Sequence, residues 1–274
     1  MNIRTDLIAE SCESNQKAVT GISENTEHIG DVTLSTVNIT DDAAAKAVQK
    51  PIGKYCTVEF PPLERVLKSE DIVSAVINAL KSLTPKNFKS ALVVGLGNTD
   101  ITPDAIGPLT VNRILATRHL SIPLRKTLGL ENLRDVSCIT PSVLGKTGIE
   151  SYDIITATAD KIKPSLIIAV DALAARSPAR LCKTVQLSNS GISPGAGVNN
   201  SRKELSENTI GIPVVAVGIP TVIDANHLFD SNENMMVTPK EIDMLVEKSA
   251  DILSKAINLF LQPSLDSETI ESLT

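Results

Sequence analysis

Apolar and polar positions alternate differently in two parts of the chain. The first 65 residues are polar and irregular, with short alternating pieces such as Asp31-Val32-Thr33-Leu34-Ser35 that predict strands at a sheet edge or in a hairpin. Pro61-Pro62 then punctuates the chain. From Ser69 onward the pattern is regular. Apolar residues recur at Ile72, Val76, Leu80 and Leu83, the spacing of one helix face, with Ser69 placed as a cap. Ala91-Leu92-Val93-Val94 is a continuous apolar run ending at Gly95, which predicts a strand buried on both faces. Thr102-Pro103 reads as a helix start, the helix burying Gly107, Val111, Ile114 and Leu115. Further strands are predicted at Val136 to Ile139, at Leu166 to Val170 ending on Asp171, and at Pro213 to Gly218, with a helix over Ile149 to Ile162. Thr238-Pro239-Lys240-Glu241 reads as a capping box opening a long helix with Leu245, Ile252, Leu253 and Phe260 inward.

Strands that alternate with helices predict an α/β fold, a mostly parallel sheet with helices on both faces. Residues 66–263 form the expected core, 7–65 a β-containing N-terminal segment and 264–274 a tail, all in one domain of 274 residues. With 42% hydrophobic and 21% charged residues the chain is not a disordered one. The net charge of −6, with 2% aromatics and no Trp, argues against a nucleic-acid partner. No apolar stretch is long enough for a membrane span; Thr209 to Ile223 is short and interrupted by Gly211, Pro213, Gly218 and Pro220. Asp6 and Glu10 break the apolar core a signal peptide needs. Cys12, Cys56, Cys138 and Cys182 form no CxxC pair and are expected as free thiols in a cytoplasmic protein.

Most motifs fail on inspection. Gly95 and Gly97 follow a strand, but Asp100 stands where a dinucleotide fingerprint needs its third glycine. Gly145-Lys146-Thr147 resembles the end of a phosphate loop, yet Thr140-Pro141 replaces the first glycine and removes a phosphate-facing amide. His28, His119 and His227 have no metal-ligand spacing, and no Gly-x-Ser-x-Gly is present. Two aspartates remain. Asp104 opens the helix after the first core strand, and Asp171 ends a later one, so both can reach one crevice at the strands' carboxyl ends. Apolar neighbours should raise the pKa of Asp171, whereas the helix start favours ionised Asp104. Such a split suits an acid/base pair. Structural roles, a helix start and a loop cap, explain both residues equally simply.

At these residues the sequence resembles the germination proteases of spore-forming bacteria. The match is carried by Val94-Gly95-Leu96-Gly97-Asn98, Thr102-Pro103-Asp104-Ala105-Ile106-Gly107-Pro108, Thr117-Arg118-His119-Leu120 and Thr147-Gly148-Ile149-Glu150. It continues through Val170-Asp171-Ala172-Leu173-Ala174-Ala175-Arg176-Ser177, Ser193-Pro194-Gly195-Ala196-Gly197, Arg202-Lys203-Glu204-Leu205, Val217 to Ala225 and Met236 to Glu241. The resemblance implies an endopeptidase for small acid-soluble spore proteins, with Asp104 and Asp171 catalytic and with no cofactor or metal. It implies a fold like that of the hydrogenase-maturation proteases, a homotetramer, and a place in the forespore or spore core. It also implies a zymogen whose leader, residues 1–6, is cut off between Asp6 and Leu7 of Ile3-Arg4-Thr5-Asp6-Leu7. Lys146 departs from the family's expected glutamine, and the link from His227 to Met236 is shorter than in some members. The alternatives are a nickel-using maturation protease and, in another class, a nucleotide-binding scaffold built on Gly145-Lys146-Thr147.

Overall fold

The computed structural model describes residues 5–13, 20–66, 69–193, 203–228 and 235–274. Residues 1–4 of the leader, most of Ser193-Pro194-Gly195-Ala196-Gly197, Arg202 and the link over 229–234 lie outside the described residues. The chain opens with α1 (Ile8–Glu13), the hairpin β1 (Ile22–Ile29) and β2 (Val32–Ile39), α2 (Asp42–Val48) and β3 (Gly53–Glu59). Then follow α3 (Glu70–Leu83), β4 (Ser90–Gly95), α4 (Ile106–Val111), α5 (Ile122–Thr127), β5 (Asp135–Ile139), α6 (Leu144–Thr147) and α7 (Ser151–Ile162). The last part is β6 (Ile167–Ala175), β7 (Thr184–Ser188), α8 (Glu207–Ile210), β8 (Val214–Asp224), β9 (Met236–Val237), α9 (Ile242–Leu261) and α10 (Ser267–Leu273).

Among the described residues all strands join one sheet in the order β1-β2-β3-β7-β8-β6-β4-β5, with β9 added to the far end of β8. The parallel arrangement is confined to β8, β6, β4 and β5. The N-terminal strands and β7 continue the same sheet in antiparallel fashion, β3 pairing with β7 and β7 with β8.

The apolar runs of the parallel strands serve two cores at once, because successive side chains point to opposite faces. Val93, Ile168, Val170, Val215 and Val217 pack with α3 and α9 on one face. Leu92, Val94, Ile167, Ala169 and Val214 pack with Ile155 and Ala159 of α7 on the other.

Three local expectations are corrected. Thr102-Pro103-Asp104 forms a single 3₁₀ turn rather than the start of a long helix, and the short α4 follows it. Pro108 has no N–H to give to the Asp104 carbonyl four residues back. That carbonyl instead accepts the Asn98 N–H at 3.0 Å. The box at Thr238 does not cap α9, which starts at Ile242; the Thr238 hydroxyl donates to the Thr221 carbonyl at 2.8 Å. Finally, Asp171 does not end its strand. β8 accompanies β6 as far as Ala175, whereas β4 stops at Gly95, opposite Val170.

Candidate active site

β4 is followed in the chain by β5 on one side of it and then by β6 on the other, so the chain reverses its direction of travel between β4 and β6. In open α/β sheets that switch point is where crevices form. Asp104 lies just after β4, and Asp171 lies on β6 one residue past the last β4 pair.

The glycines near this point serve close approach. The Leu96 N–H donates to the Val170 carbonyl at 2.8 Å, fixing the exit of β4 on β6. Gly97 has φ +115°, and a Cβ there would lie 2.0 Å from the Asp104 carbonyl oxygen. A Cβ on Gly107 would lie 2.2 Å from the Leu96 oxygen and 2.5 Å from that of Val170. The Gly95-Leu96-Gly97 signal thus belongs to a loop that presses the Asp104 turn onto two strands. The turn is tied on its other side by the Thr221 hydroxyl, which donates to the Pro103 carbonyl at 2.7 Å.

Asp104 is half-buried and Asp171 is 5% exposed. The Asp171 Oδ1 accepts its neighbour's N–H, that of Ala172, at 2.9 Å. Both aspartates line one cavity of about 640 Å³, together with Asp6, Lys50 and Glu204. Two of the sequence-selected residues therefore meet at one site, and Asp6 meets them there.

Asp6 reaches the cavity by pairing with the part of β6 that β4 leaves open. Its N–H donates to the Ala174 carbonyl at 3.1 Å, and its Oδ2 accepts the Ala174 N–H at 2.8 Å. Leu7 is completely buried with Leu173 and Ala175. The Ile8 N–H donates to the Gln186 side-chain oxygen at 3.0 Å. Glu10, with no exposed surface, accepts the N–H groups of Arg176 and Ser177 at 2.8 Å each.

Lys50 donates to the Thr5 carbonyl at 2.8 Å. Burial pushes the Asp6 carboxyl above its ordinary pKa, opposed by the Ala174 N–H bond and the Lys50 charge. Burial likewise lowers the Lys50 ammonium, opposed by Asp6 and Glu10. Lys50 carries no motif. Only the fold brings the turn after α2 to the end of β6, so nothing in the sequence marked it.

The other candidates stay apart. Lys146 lies in the one-turn α6 and forms an ion pair with Asp100. His119 is exposed, and His28 lies on the exposed face of β1 with Nδ1 3.2 Å from the Thr33 hydroxyl. Among the described residues no three His, Cys, Asp or Glu side chains gather as a metal-binding group. All four cysteines are free, and burial pushes the Cys138 and Cys182 thiols up to about 12. Among the described residues no helix is long and apolar enough to cross a membrane.

Comparison with known proteins places this chain in a family. The germination protease family model matches residues 2–233. The germination protease of Caldanaerobacter subterraneus subsp. tengcongensis is 37% identical over 100% of this chain and 98% of its own length. That of Clostridium tetani is 36% identical over 99% of both, and that of Geobacillus sp. (strain WCH70) is 33% identical over 100% and 97%. Among solved structures, a [NiFe] hydrogenase maturation protease, HycI from Thermococcus kodakarensis KOD1, matches with a TM-score of 0.42 and 16% identity, covering 67% of this chain and 98% of its own. With its family model matched over most of its length and full-length relatives above 30% identity, this chain belongs to the germination proteases and is a peptidase.

Proposed function

We propose that the chain is an endopeptidase of spore germination that cuts small acid-soluble spore proteins, with Asp104 and Asp171 as its acid/base pair. The observation that carries the reading is that these two carboxylates, from separate elements, line one cavity at the switch point of the sheet. The edge of β6 beyond the end of β4, where Asp6 already bonds Ala174, is of a kind that takes an extended peptide by strand addition. One aspartate, ionised, accepts a proton from water as the water oxygen attacks the scissile carbonyl carbon. The other, protonated, polarises the carbonyl oxygen and then delivers its proton to the departing amide nitrogen. Each such transfer is worth about 10²–10⁴-fold.

The same reading covers the leader. Asp6 already occupies the cavity wall, and a tethered terminus enters its own groove at high effective concentration. The chain is proposed to be made as a zymogen, to cut itself between Asp6 and Leu7, and to act as a homotetramer in the cytoplasm of the forespore or spore core, as the family resemblance implies.

Incubation of the purified protein with an acid-soluble spore protein, followed by mass mapping of the fragments, tests the reading. Discrete internal cuts are expected, and intact substrate would overturn it. N-terminal sequencing tests the zymogen step: a Leu7 terminus is expected in active protein, and a persistent Met1 or Asn2 terminus in fully active protein would end that part.

A further inference from the structure

The two aspartates of the cavity stand on unequal footings. Asp171 lies within a long buried strand, β6, whereas Asp104 belongs to a single 3₁₀ turn after β4 has ended. The Asp104 N–H donates to the Ile101 carbonyl at 2.8 Å, and the Asp104 carbonyl accepts the Asn98 N–H at 3.0 Å. Both bonds run within one loop. A tie from the turn to the sheet is made by Thr221 of β8, whose hydroxyl donates to the Pro103 carbonyl at 2.7 Å.

An irregularity in β8 places Thr221 for this contact. Leu173 of β6 pairs with Pro220 and Ala174 with Val222, so Thr221 is an extra residue between two pairs. Pro220 accounts for the break, because proline has no N–H for a ladder and within sheets is confined to edges, strand starts and bulges. Its carbonyl accepts the Cys182 N–H at 2.8 Å, which holds the bulge from the segment before β7. Bulges are rare in parallel pairs, and beside active sites they re-aim a side chain. Thr221 is 1% exposed, a setting in which a hydroxyl costs free energy unless it is bonded. Its own carbonyl is held in turn by the Thr238 hydroxyl at 2.8 Å.

We propose that Thr221 is a positioning residue of the peptidase reaction, fixing the Pro103–Asp104 peptide and so setting the Asp104 carboxyl relative to Asp171. This rests on the two aspartates being the acid/base pair. The Pro103 carbonyl and the Asp104 N–H share one peptide plane, so holding the first orients the residue from which the carboxyl extends. Asp171 pairs with Gly218, just upstream of Thr221. The strand pair that carries one aspartate therefore also anchors the other, and the two keep their spacing if the sheet shifts.

The test compares the full-length wild-type chain with Thr221→Val, Thr221→Ser and Thr238→Val. Cleavage of an acid-soluble spore protein gives kcat and KM, and amide exchange is read by mass spectrometry over residues 98–105. Thr221→Val keeps the branched shape and loses the hydroxyl. Its kcat is expected to fall about tenfold or more at little-changed KM, toward the roughly 10²-fold that a misplacement of about 1 Å costs. Thr221→Ser, which keeps the hydroxyl, is expected to retain most of the activity. Exchange over 98–105 is expected to quicken in Thr221→Val while that of β4 stays as in the wild type. Thr238→Val is expected to lower kcat less, and to add little in the double variant because it acts through the same residue. A purely structural Thr221 would lower the melting temperature and leave the kcat of folded protein alone. A residue that served only to contact substrate would raise KM instead.

A folded Thr221→Val with wild-type kcat overturns the proposal. So does a Thr221→Ser that loses as much as Thr221→Val. Should Thr221→Val not fold, an unchanged kcat in Thr238→Val overturns it. A wild-type chain that cuts nothing sinks the peptidase reading. Quickened exchange over 98–105 in Thr221→Val then keeps the tether, and unchanged exchange overturns that as well.

Discussion

The two halves of the sheet are built on opposite rules. In the parallel half, β4 and β6 are buried along almost their whole length, and helices cover both faces. In the antiparallel half, the outer strand β1 is almost entirely exposed, and β2 alternates between buried and half-buried positions. The first half is a double-sided core, whereas the second is a sheet with a wet margin. The cavity lies between them: Asp104 and Asp171 come from the parallel half, Lys50 and Gln186 from the antiparallel half. The two aspartates come from the half buried on both faces, whereas residues 5–8 are held from both halves, by Ala174 of β6 and by Lys50 and Gln186.

The sharpest way to break this division is at the aspartates. Asp104→Asn and Asp171→Asn should each lower the turnover of a spore-protein substrate by at least about 10²-fold, because the amide can neither take nor release the proton. Thermal melting should change little, since volume is conserved. Near-normal turnover in either variant would show that the parallel half does not hold the chemistry.

Next comes the mechanical contrast. Ile168→Ala empties a fully buried site in β6 and should cost about 2–5 kcal/mol of unfolding free energy. Thr26→Ala on exposed β1, where the hydroxyl meets that of Ser35 at 3.3 Å, should stay within about 0.5 kcal/mol. Denaturant titrations of the pair that gave equal costs would abolish the distinction.

A smaller effect is expected at the loop that positions Asp104. Gly97→Ala puts a side chain at φ +115° and against the Asp104 carbonyl. The conformation alone costs about 1–2 kcal/mol, and relief must move the turn. Activity should therefore fall by more than the melting temperature suggests, which parallel kinetics and calorimetry will read.

The smallest effect concerns pH. The Asp6 carboxyl, raised by burial, keeps its proton in the docked segment at pH values where a free segment has lost it. Docking should then strengthen as pH falls through that raised value and weaken above it. Amide exchange at Asp6 and Ala174, followed across a pH series and corrected for intrinsic rates, should show more protection at the acid end. Asp6→Asn should flatten the profile; an unchanged slope would remove Asp6 as its source.

The same contrast explains what the sequence made legible. Unbroken apolar runs announced β4, β6 and β8, and their order carried Asp104 and Asp171 to one crevice. β7 went unrecognised because Thr184-Val185-Gln186-Leu187-Ser188 alternates as if half-exposed, although all five residues are buried. Gln186 is tolerated there because its side chain is fully engaged. Its oxygen accepts from Ile8 at 3.0 Å and Thr57 at 3.4 Å, and its nitrogen donates to the carbonyls of Cys56 at 3.2 Å and Leu187 at 3.1 Å. Polarity predicts exposure only where no partners wait, and partners drawn from residues 8, 56 and 57 cannot be foreseen locally. Lys50 was hidden for the same reason. It has meaning only through Thr5 and Asp6, which meet it in space.

The interrupted edge of β6 has a consequence for the chain's behaviour in concentrated solution. Ala172 to Ala175 is a short, alanine-rich strand edge, the kind that recruits other sheets when it lies at a rim. Here it lies inside the sheet, between β8 and the end of β4. Of the two outer strands, β1 and β5, β1 carries Glu24, Asn25, Glu27 and His28 on exposed positions. A second copy of the protein that approaches along β1 meets charge, and the alanines lie four strands in from that edge, behind β2, β3, β7 and β8. The chain can thus carry a strand-accepting surface without polymerising through it.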